Sequence, residues 1–269
     1  MKTWVNGQQT TRLSVYDRGL HYGDGVFETM RVSNGSTVMW TEHFTRLQSG
    51  CQRLNINIDP DVISQQLNEI QRQLSGGVLK LIVTRGEAER GYRVDANKPA
   101  TSIWLYSEAT AYPPCFYSEG VDVCLCQTTV SRNPYLAGIK HLNRLESVLA
   151  RQEWQDEYQE GLMCDEFGNI IEGTMSNFFA IKGDTLITTD LNMSGVMGVM
   201  RQHLLDIAGE DGIPTEVRSL PLAELEEIDA VMLSNSLFGI LPVRRIAKYH
   251  YSINALYWHL AARVNTGLN

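Results

Sequence analysis

The chain has 269 residues, of which 43% are hydrophobic and 20% are charged, and its formal net charge at pH 7 is −8. This length suffices for one large or two moderate domains with buried cores. The acidic balance argues against a nucleic-acid partner, because phosphate binding needs a basic surface. The N-terminal residues lack the apolar core of a signal peptide, and no run approaches the roughly 18 apolar residues of a membrane span. The sequence therefore predicts a cytoplasmic protein without a membrane partner.

Residues 1–110 predict an N-terminal α/β domain. A hairpin turn is expected at Asn6-Gly7, and strands over 26–32 and 37–40 flank a second turn. Of the two helices that follow, the second is expected to begin at Asp59-Pro60 and to end at Gly76-Gly77. The first has four apolar residues on one face: Phe44, Leu47, Cys51 and Leu54. Residues 78–84 and 101–107 are rich in strand formers.

The segment 111–118 is the best candidate for an interdomain linker, because Pro113 and Pro114 interrupt both helix and sheet. The second domain, 119–269, is expected to begin with a strand over 121–128. A loop and helix around residue 140 follow, and the remaining elements are a meander of strands over 162–188, helices over 199–208 and 254–264, and strands near 215–218 and 231–234. The predicted fold is mixed α/β with two domains and a ligand cleft between them.

The five cysteines are scattered over the chain and odd in number, so we predict neither a disulfide nor a structural metal. Cys124 and Cys126 have the spacing of two residues on one strand. A second pair of ligands is missing from the sequence around them. We therefore interpret these two residues as neighbours on one face of a sheet.

The stretch 131–151, SRNPYLAGIKHLNRLESVLAR, places Lys140 between a loop marked by proline and glycine and a predicted helix. The helix prediction depends on a stripe of four apolar residues: Leu142, Leu145, Val148 and Leu149. Most lysines are solvated surface residues, but one at such a boundary can be a nucleophile. Further along the chain, Glu172 lies in the strand-like run IIEGTMSNFFA. It is either an edge-strand carboxylate or a buried anion that pairs with a protonated ring nitrogen.

Together these segments resemble the fold-type IV pyridoxal-phosphate enzymes, which include branched-chain aminotransferases, D-amino-acid aminotransferases and aminodeoxychorismate lyases. The other matching segments are YGDGVFET over 22–29, EHFTRL over 42–47, SGVMGVMR over 194–201, and SNS over 234–236 with the following Pro242-Val243. The resemblance runs almost from end to end. It implies the two-domain fold of that family, pyridoxal 5′-phosphate as cofactor and a homodimer.

The resemblance also implies how the cofactor is held. Lys140 would bind the cofactor's aldehyde and later act as a base, and Glu172 would hydrogen-bond the ring nitrogen. The phosphate would be bound by a guanidinium, by the amides of a turn at a helix start and by a hydroxyl: Arg46, Gly198, Val199, Met200 and Ser236. Five further polar motif residues are expected to have structural roles: Asp24, Glu28, His43, Asn143 and Arg144.

Within the family, the stretch RNPYLAGIKHLNRLE over 132–146 and the element Arg90-Gly91-Tyr92 are most similar to the aminodeoxychorismate lyases. This similarity implies a step towards folate in which 4-amino-4-deoxychorismate becomes 4-aminobenzoate and pyruvate. Lys140 would remove the C4 proton before enolpyruvate is eliminated.

Candidate proton donors to the leaving group are Thr29, Tyr92 and Tyr112, and candidate partners of the substrate carboxylates are Arg90, Arg93 and Arg201. The alternative is a D-amino-acid or branched-chain aminotransferase with the same cofactor site. A third possibility, a catalytically silent relative, would leave Lys140 and Glu172 without a chemical role.

Overall fold

The computed structural model describes residues 1–95, 98–108 and 111–267. Contacts between Cα atoms divide the chain into two compact units. Unit 1 comprises residues 1–110 and 139–143, and unit 2 comprises residues 111–138 and 144–269. The short segment around Lys140 thus belongs by its contacts to unit 1.

Unit 1 consists of a six-stranded antiparallel sheet with helices. Its elements in chain order are β1 (Lys2–Val5), β2 (Gln8–Gln9), α1 (Arg18–Tyr22), β3 (Gly25–Ser33), β4 (Ser36–Thr37), α2 (Trp40–Arg53), α3 (Pro60–Gln71), β5 (Gly77–Thr84) and β6 (Thr101–Ser107). The strand order is β2-β1-β6-β5-β3-β4. This sheet confirms the predicted α/β character of the N-terminal half.

Turn and capping residues explain where these elements begin. The predicted hairpin between β1 and β2 is confirmed, with Asn6 at φ 51° and Gly7 at φ 79°, as a tight two-residue turn requires. Helix α3 begins where predicted, because the Asp59 side chain accepts hydrogen bonds from the first backbone N–H groups.

Two predicted boundaries are wrong. The strand predicted over 37–40 is only β4, because Met39 adopts a left-handed conformation (φ 54°) and the helix α2 follows at once. Helix α3 ends at Gln71 rather than at the two glycines, and Leu74 then turns into the core.

The core of unit 1 lies between one face of the sheet and helices α2 and α3. Strand β3 alternates as a half-buried strand should, with Val26, Met30 and Val32 inside. They pack with a larger apolar cluster that includes Leu47, Cys51, Ile63, Leu67, Ile70, Leu79, Leu81, Val83 and Trp104. The other face of β3 is half-exposed and carries Phe27 and Thr29.

Unit 2 is built around a nine-stranded sheet. Its elements are α4 (Pro114–Ser118), β7 (Val121–Leu125), α5 (Leu145–Arg151), β8 (Glu160–Cys164), β9 (Ile170–Gly173), β10 (Asn177–Lys182), β11 (Thr185–Thr189), α6 (Val199–Glu210), β12 (Thr215–Arg218), a 3₁₀ helix (Leu222–Glu227), β13 (Ala230–Asn235), β14 (Gly239–Ile246), β15 (Tyr249–His250) and α7 (Ala255–Gly267). The strand order is β12-β11-β10-β13-β14-β7-β8-β9, with β15 on β14. Strand β9 pairs with β10 as well as with β8, so part of the sheet closes into a barrel.

The helix predicted after Lys140 is the main error of the sequence interpretation in this half of the chain. Helix α5 begins only at Leu145, and three of its apolar residues are exposed: Leu145 by 75%, Val148 by 48% and Leu149 by 54%. The apolar stripe therefore does not face the core of unit 2. By contrast, α6, β12 and β13 lie where the sequence predicts them.

The sequence interpretation missed strand β14 and the short helix α4 in the proline-rich segment.

Within the described ranges, the structure contains no helix with the length and apolar character needed to cross a membrane.

Candidate active site

Lys140 is held by backbone hydrogen bonds to the start of β3. The N–H of Phe27 donates to the Lys140 carbonyl (2.9 Å), and the N–H of Leu142 donates to the Gly25 carbonyl (3.0 Å). Gly25 permits this pairing, because a Cβ there would lie 2.4 Å from a backbone oxygen of β5 and 2.8 Å from the Leu142 side chain. The Lys140 backbone is therefore fixed by tertiary pairing rather than by a helix.

The Lys140 ammonium lies over the ring of Phe27, with Nζ 4.5 Å from the ring centroid. A second amine shares that ring, since Lys80 Nζ lies 4.6 Å from the same centroid. Burial lowers the pKa of Lys80. Lys80 is also the register partner of Thr29 on β3. Sequence analysis missed Lys80, because only the register of β5 places it here.

Arg46 is oriented by a buried carboxylate. Its Nε and Nη2 donate to the two oxygens of Glu28 at 2.8 and 2.5 Å, and the His43 ring lies 2.6 Å from Glu28 Oε2. Burial alone would raise the pKa of Glu28, but the charge of Arg46 and the hydrogen bond from His43 outweigh it and lower the pKa. Glu28 and His43 therefore fix the position of the guanidinium that the sequence assigns to the phosphate.

A half-buried carboxylate, that of Asp24, anchors the segment that contains Arg90 and Tyr92. Asp24 accepts hydrogen bonds from Arg18 (2.8 Å) and Arg85 (2.7 Å), and Arg18 Nη1 also donates to the Gly91 carbonyl (2.8 Å). Tyr92 is 84% exposed, and Arg90 is exposed beside it. The two candidate substrate residues thus lie on a surface segment that Arg18 holds at its centre.

In unit 2, Glu172 lies at the point where the barrel closes. It is the register partner of Asn177 across β9 and β10 and is 8% exposed. Its Oε2 accepts the N–H of Val196 (2.8 Å), and Asn177 Nδ2 donates to the Val196 carbonyl (2.8 Å). The loop before α6 is tied in turn to Gly138, whose N–H donates to the Gly195 carbonyl (2.9 Å). Glu172 is therefore a buried, oriented carboxylate rather than a solvated edge residue.

The predicted phosphate-binding turn is the start of helix α6. Gly198 is its N-cap, and no side chain caps this helix start in the part of unit 2 that the structure describes. The backbone amides of Val199 and Met200 begin the helix, where its dipole favours an anion. A Cβ on Gly198 would lie 1.9 Å from Asn177 Oδ1. The glycine is thus required by the same asparagine that holds the Glu172 loop.

Two other residues of the sequence interpretation lie elsewhere in unit 2. Ser236 is half-buried in the turn between β13 and β14. Tyr112 packs against the ring of Phe238 (5.6 Å between centroids), and burial together with the charge of Glu160 raises its pKa.

Two arginines, the half-buried Arg144 and the buried Arg201, lie close enough to Glu172 for their charges to interact with it. Burial lowers the pKa of both Arg144 and Arg201, and the Glu172 charge opposes that shift. Arg201 donates to the Thr189 carbonyl (3.0 Å) and is buried, although the sequence suggested it as a partner of substrate. Arg201 is therefore better placed to balance the charge of the Glu172 carboxylate than to bind substrate.

These groups are of the kinds that bind a phosphorylated, cationic ring, and each unit contains some of them. Unit 1 contributes amines and an oriented guanidinium, and unit 2 contributes a buried carboxylate beside an uncapped helix start. This combination is what a pyridoxal-phosphate enzyme requires: a lysine for the aldehyde, an acid for the ring nitrogen and donors for the phosphate.

Comparison with known proteins agrees with that class. The chain belongs to the amino-transferase class IV family, whose model matches residues 25–246. It is 32% identical to an aminodeoxychorismate lyase from Vibrio harveyi over 271 residues, with 99% of each chain covered. It is 28% identical to a D-alanine aminotransferase from Bacillus licheniformis over 255 residues, covering 91% of this chain and 88% of the relative.

Among solved structures, the fold matches the crystal structure of 4-amino-4-deoxychorismate lyase from Pseudomonas aeruginosa. The TM-score is 0.96 at 43% sequence identity, and 98% of each chain is covered. The predicted fold class, two-domain mixed α/β of the fold-type IV kind, is thereby confirmed.

Proposed function

We propose that this chain is a pyridoxal-phosphate-dependent lyase that converts 4-amino-4-deoxychorismate to 4-aminobenzoate and pyruvate. The observation that carries the proposal is its similarity, over nearly the whole chain, to two lyases of that name. The sequence interpretation reached the same family and the same subgroup. The site contains residues suited to each part of the cofactor.

The fit of the cofactor depends on Glu172 and the helix start after it. Glu172 accepts the N–H of Val196 and lies near the positive charges of Arg144 and Arg201, and this environment suits an anion that pairs with a protonated ring nitrogen. The Gly198-Val199-Met200 turn offers amides to the phosphate, and Ser236 and Arg46 are the proposed side-chain donors. The cofactor, when bound, supplies an electron sink that makes the C4 proton of the substrate acidic.

Lys140 has two tasks in this reaction. Its amine would hold the cofactor's aldehyde until the substrate amine takes its place, and it would then remove the C4 proton. The backbone pairing with β3 positions the side chain for these tasks, with Nζ over the ring of Phe27. Thr29, on the same half-exposed face of β3, is the proposed proton donor to the leaving enolpyruvate, with Tyr92 and Tyr112 as further candidates. Arg90 is the proposed partner of a substrate carboxylate.

The first experiment measures both products. Purified, cofactor-loaded protein is mixed with 4-amino-4-deoxychorismate, and 4-aminobenzoate and pyruvate are followed together. We expect equal amounts of both, loss of both in Lys140→Ala, and full turnover in the control Lys248→Ala, whose lysine is exposed. Production of keto acids from amino acids, with no 4-aminobenzoate, would instead support an aminotransferase such as the D-alanine enzymes at 28% identity.

A second experiment decides which amine holds the cofactor. Lys80 and Lys140 lie over the same ring, and the pKa of Lys80 is lowered, so both are chemically plausible. Borohydride reduction attaches the cofactor irreversibly to the lysine that holds it, and peptide mass spectrometry then locates it. We expect the label on Lys140. A label on Lys80 would refute the assignment without affecting the proposed reaction.

We also propose that the protein is a cytoplasmic homodimer that acts in folate synthesis. The exposed apolar residues of α5, Leu145, Val148 and Leu149, support association, because exposed apolar groups on adjacent helical turns gain from being covered. A second copy of the chain is the expected cover. Light scattering of the parent and of Leu149→Glu tests this, and we expect the variant to dissociate at concentrations where the parent is dimeric.

A further inference from the structure

A cluster of metal-ligating side chains lies at the end of β7, outside the residues assigned to the cofactor. It comprises the thiols of Cys124 and Cys126 and the carboxylate of Glu153, which follows helix α5. One ligand atom from each residue lies within 4.8 Å of the other two. Sequence analysis paired the two cysteines on one sheet face but found no further ligand, because Glu153 reaches them only in the folded chain.

The carboxylate of this cluster is fixed by the protein. Glu153 accepts the backbone N–H groups of Gln127 (2.7 Å) and Thr128 (2.8 Å), directly after the second cysteine. The end of α5 is held as well, because Arg151 donates to the Trp154 carbonyl (2.8 Å). The Thr128 side chain also donates a hydrogen bond to this carboxylate. A carboxylate has about four lone-pair sites, so these three hydrogen bonds leave about one of them for a cation. The carboxylate thus stands beside the thiols before any ion binds.

The sulfur of Cys126 is also closely packed. A Cβ on Gly161 would lie 2.5 Å from this sulfur and 2.5 Å from the ring of Trp154. Cys126 is 8% exposed, whereas Cys124 is half-buried and Glu153 is exposed, so the cluster has one buried side and one open side. An ion can therefore enter from the solvent without rearrangement of the barrel.

We propose that Cys124, Cys126 and Glu153 bind a thiophilic divalent cation of the Zn²⁺ class. Zinc binds cysteine sulfur at about 2.3 Å and carboxylate oxygen at about 2.1 Å, so tetrahedral ligands are roughly 3.5–3.8 Å apart. Atoms already within 4.8 Å of one another need only small side-chain rotations to reach that spacing. Two soft thiolates select zinc over magnesium or calcium, and a water molecule completes the four ligands.

Binding is a simple exchange of protons for the cation. Each S–H bond breaks, its proton passes to solvent and a sulfur–metal bond forms, with no change of oxidation state. Burial and the nearby carboxylates raise the pKa of both thiols, which keeps them protonated before an ion binds, while the negative charges of Glu157 and Glu160 favour a cation there. The bound ion would tie the end of β7 to the end of α5, the two ends of the segment that contains Lys140.

The test is a calorimetric titration of the reduced, full-length holoenzyme with Zn²⁺ alone. We expect one Zn²⁺ per chain, and at least about tenfold weaker binding in each of Cys124→Ser, Cys126→Ser and Glu153→Gln. Cys115→Ser is the matched control, because Cys115 is an exposed thiol outside the cluster, and it should bind Zn²⁺ as the parent does. Lyase turnover of each variant reports whether it is folded.

A Cd²⁺ titration gives a second signal that does not depend on affinity. The ultraviolet band of the cadmium–thiolate bonds should fall to about half its parental intensity in Cys124→Ser, because one of two sulfur ligands is lost. Equal Zn²⁺ binding in the parent and Cys124→Ser would overturn the proposal. So would parental affinity in Glu153→Gln, or the absence of saturable binding in a folded parent.

Discussion

Substitution of Gly198 by alanine tests how this glycine packs against Asn177. The loop beside Glu172 and the proposed phosphate-binding turn both depend on that packing. Gly198 has φ −64° and ψ 141°, a conformation that alanine adopts without strain, so the backbone does not oppose the change. The added Cβ, however, would lie 1.9 Å from Asn177 Oδ1. The effect of the substitution is therefore purely steric.

The size of the effect follows from the distances. Ordinary contacts of a Cβ begin at 3.4 Å, so the Asn177 oxygen must move by 3.4 minus 1.9, or about 1.5 Å. A shift of that size breaks the 2.8 Å hydrogen bond from Asn177 to the Val196 carbonyl. Loss of one buried hydrogen bond costs about 1–3 kcal/mol, the same range as overpacking of a core. If the whole cost falls on cofactor binding, the affinity for the cofactor weakens by a factor of about 5 to 150.

The assay compares Gly198→Ala with Gly209→Ala in the same helix. A Cβ on Gly209 meets no atom within 4 Å among those the structure describes, so this control should stabilise α6 by up to about 1 kcal/mol. Urea unfolding of the cofactor-free proteins measures stability, and absorbance titration with pyridoxal 5′-phosphate measures affinity. We expect a lower urea midpoint and weaker binding for Gly198→Ala only. Parental values for both quantities in that variant would refute the proposed packing.

Three other outcomes are expected. Glu172→Gln should lower turnover by about a hundredfold or more while the protein stays folded, since the amide oxygen can still accept the Val196 N–H; Glu166→Gln, an exposed glutamate, is the control. Arg46→Ala should destabilise unit 1 by about 3–5 kcal/mol in urea unfolding, because it leaves Glu28 buried with one ionic partner fewer. The pKa of Glu28 is lowered in the folded state, so its ionised form stabilises the protein above about 4.3, the ordinary glutamate pKa, and that stabilisation is lost as the pH falls through the lower, folded value. The stability difference between the parent and Glu28→Gln should accordingly shrink below that pH, and a constant difference would contradict the assignment.

Periodic elements could be predicted because local spacing determines them. Strands β6 and β12 have the predicted bounds, and α6 begins at the predicted residue, directly after Gly198. The helix after Lys140 failed because Leu142 donates its N–H to Gly25, and that tertiary hydrogen bond takes the backbone out of a helical path. Leu145, Val148 and Leu149 do lie on one helix, but this helix is shorter than predicted and all three side chains are exposed.

The sequence by itself determined the family and indicated Lys140 and Glu172 as candidate site residues, because both residues stand in contiguous motifs whose order can be compared with relatives. Only the tertiary structure decided what surrounds them. Lys80 reaches Phe27 through strand register, and Asn177 meets Glu172 where the barrel closes. Such neighbours are far apart in the chain, and their distances depend on how strands pair, which no local pattern of residues specifies.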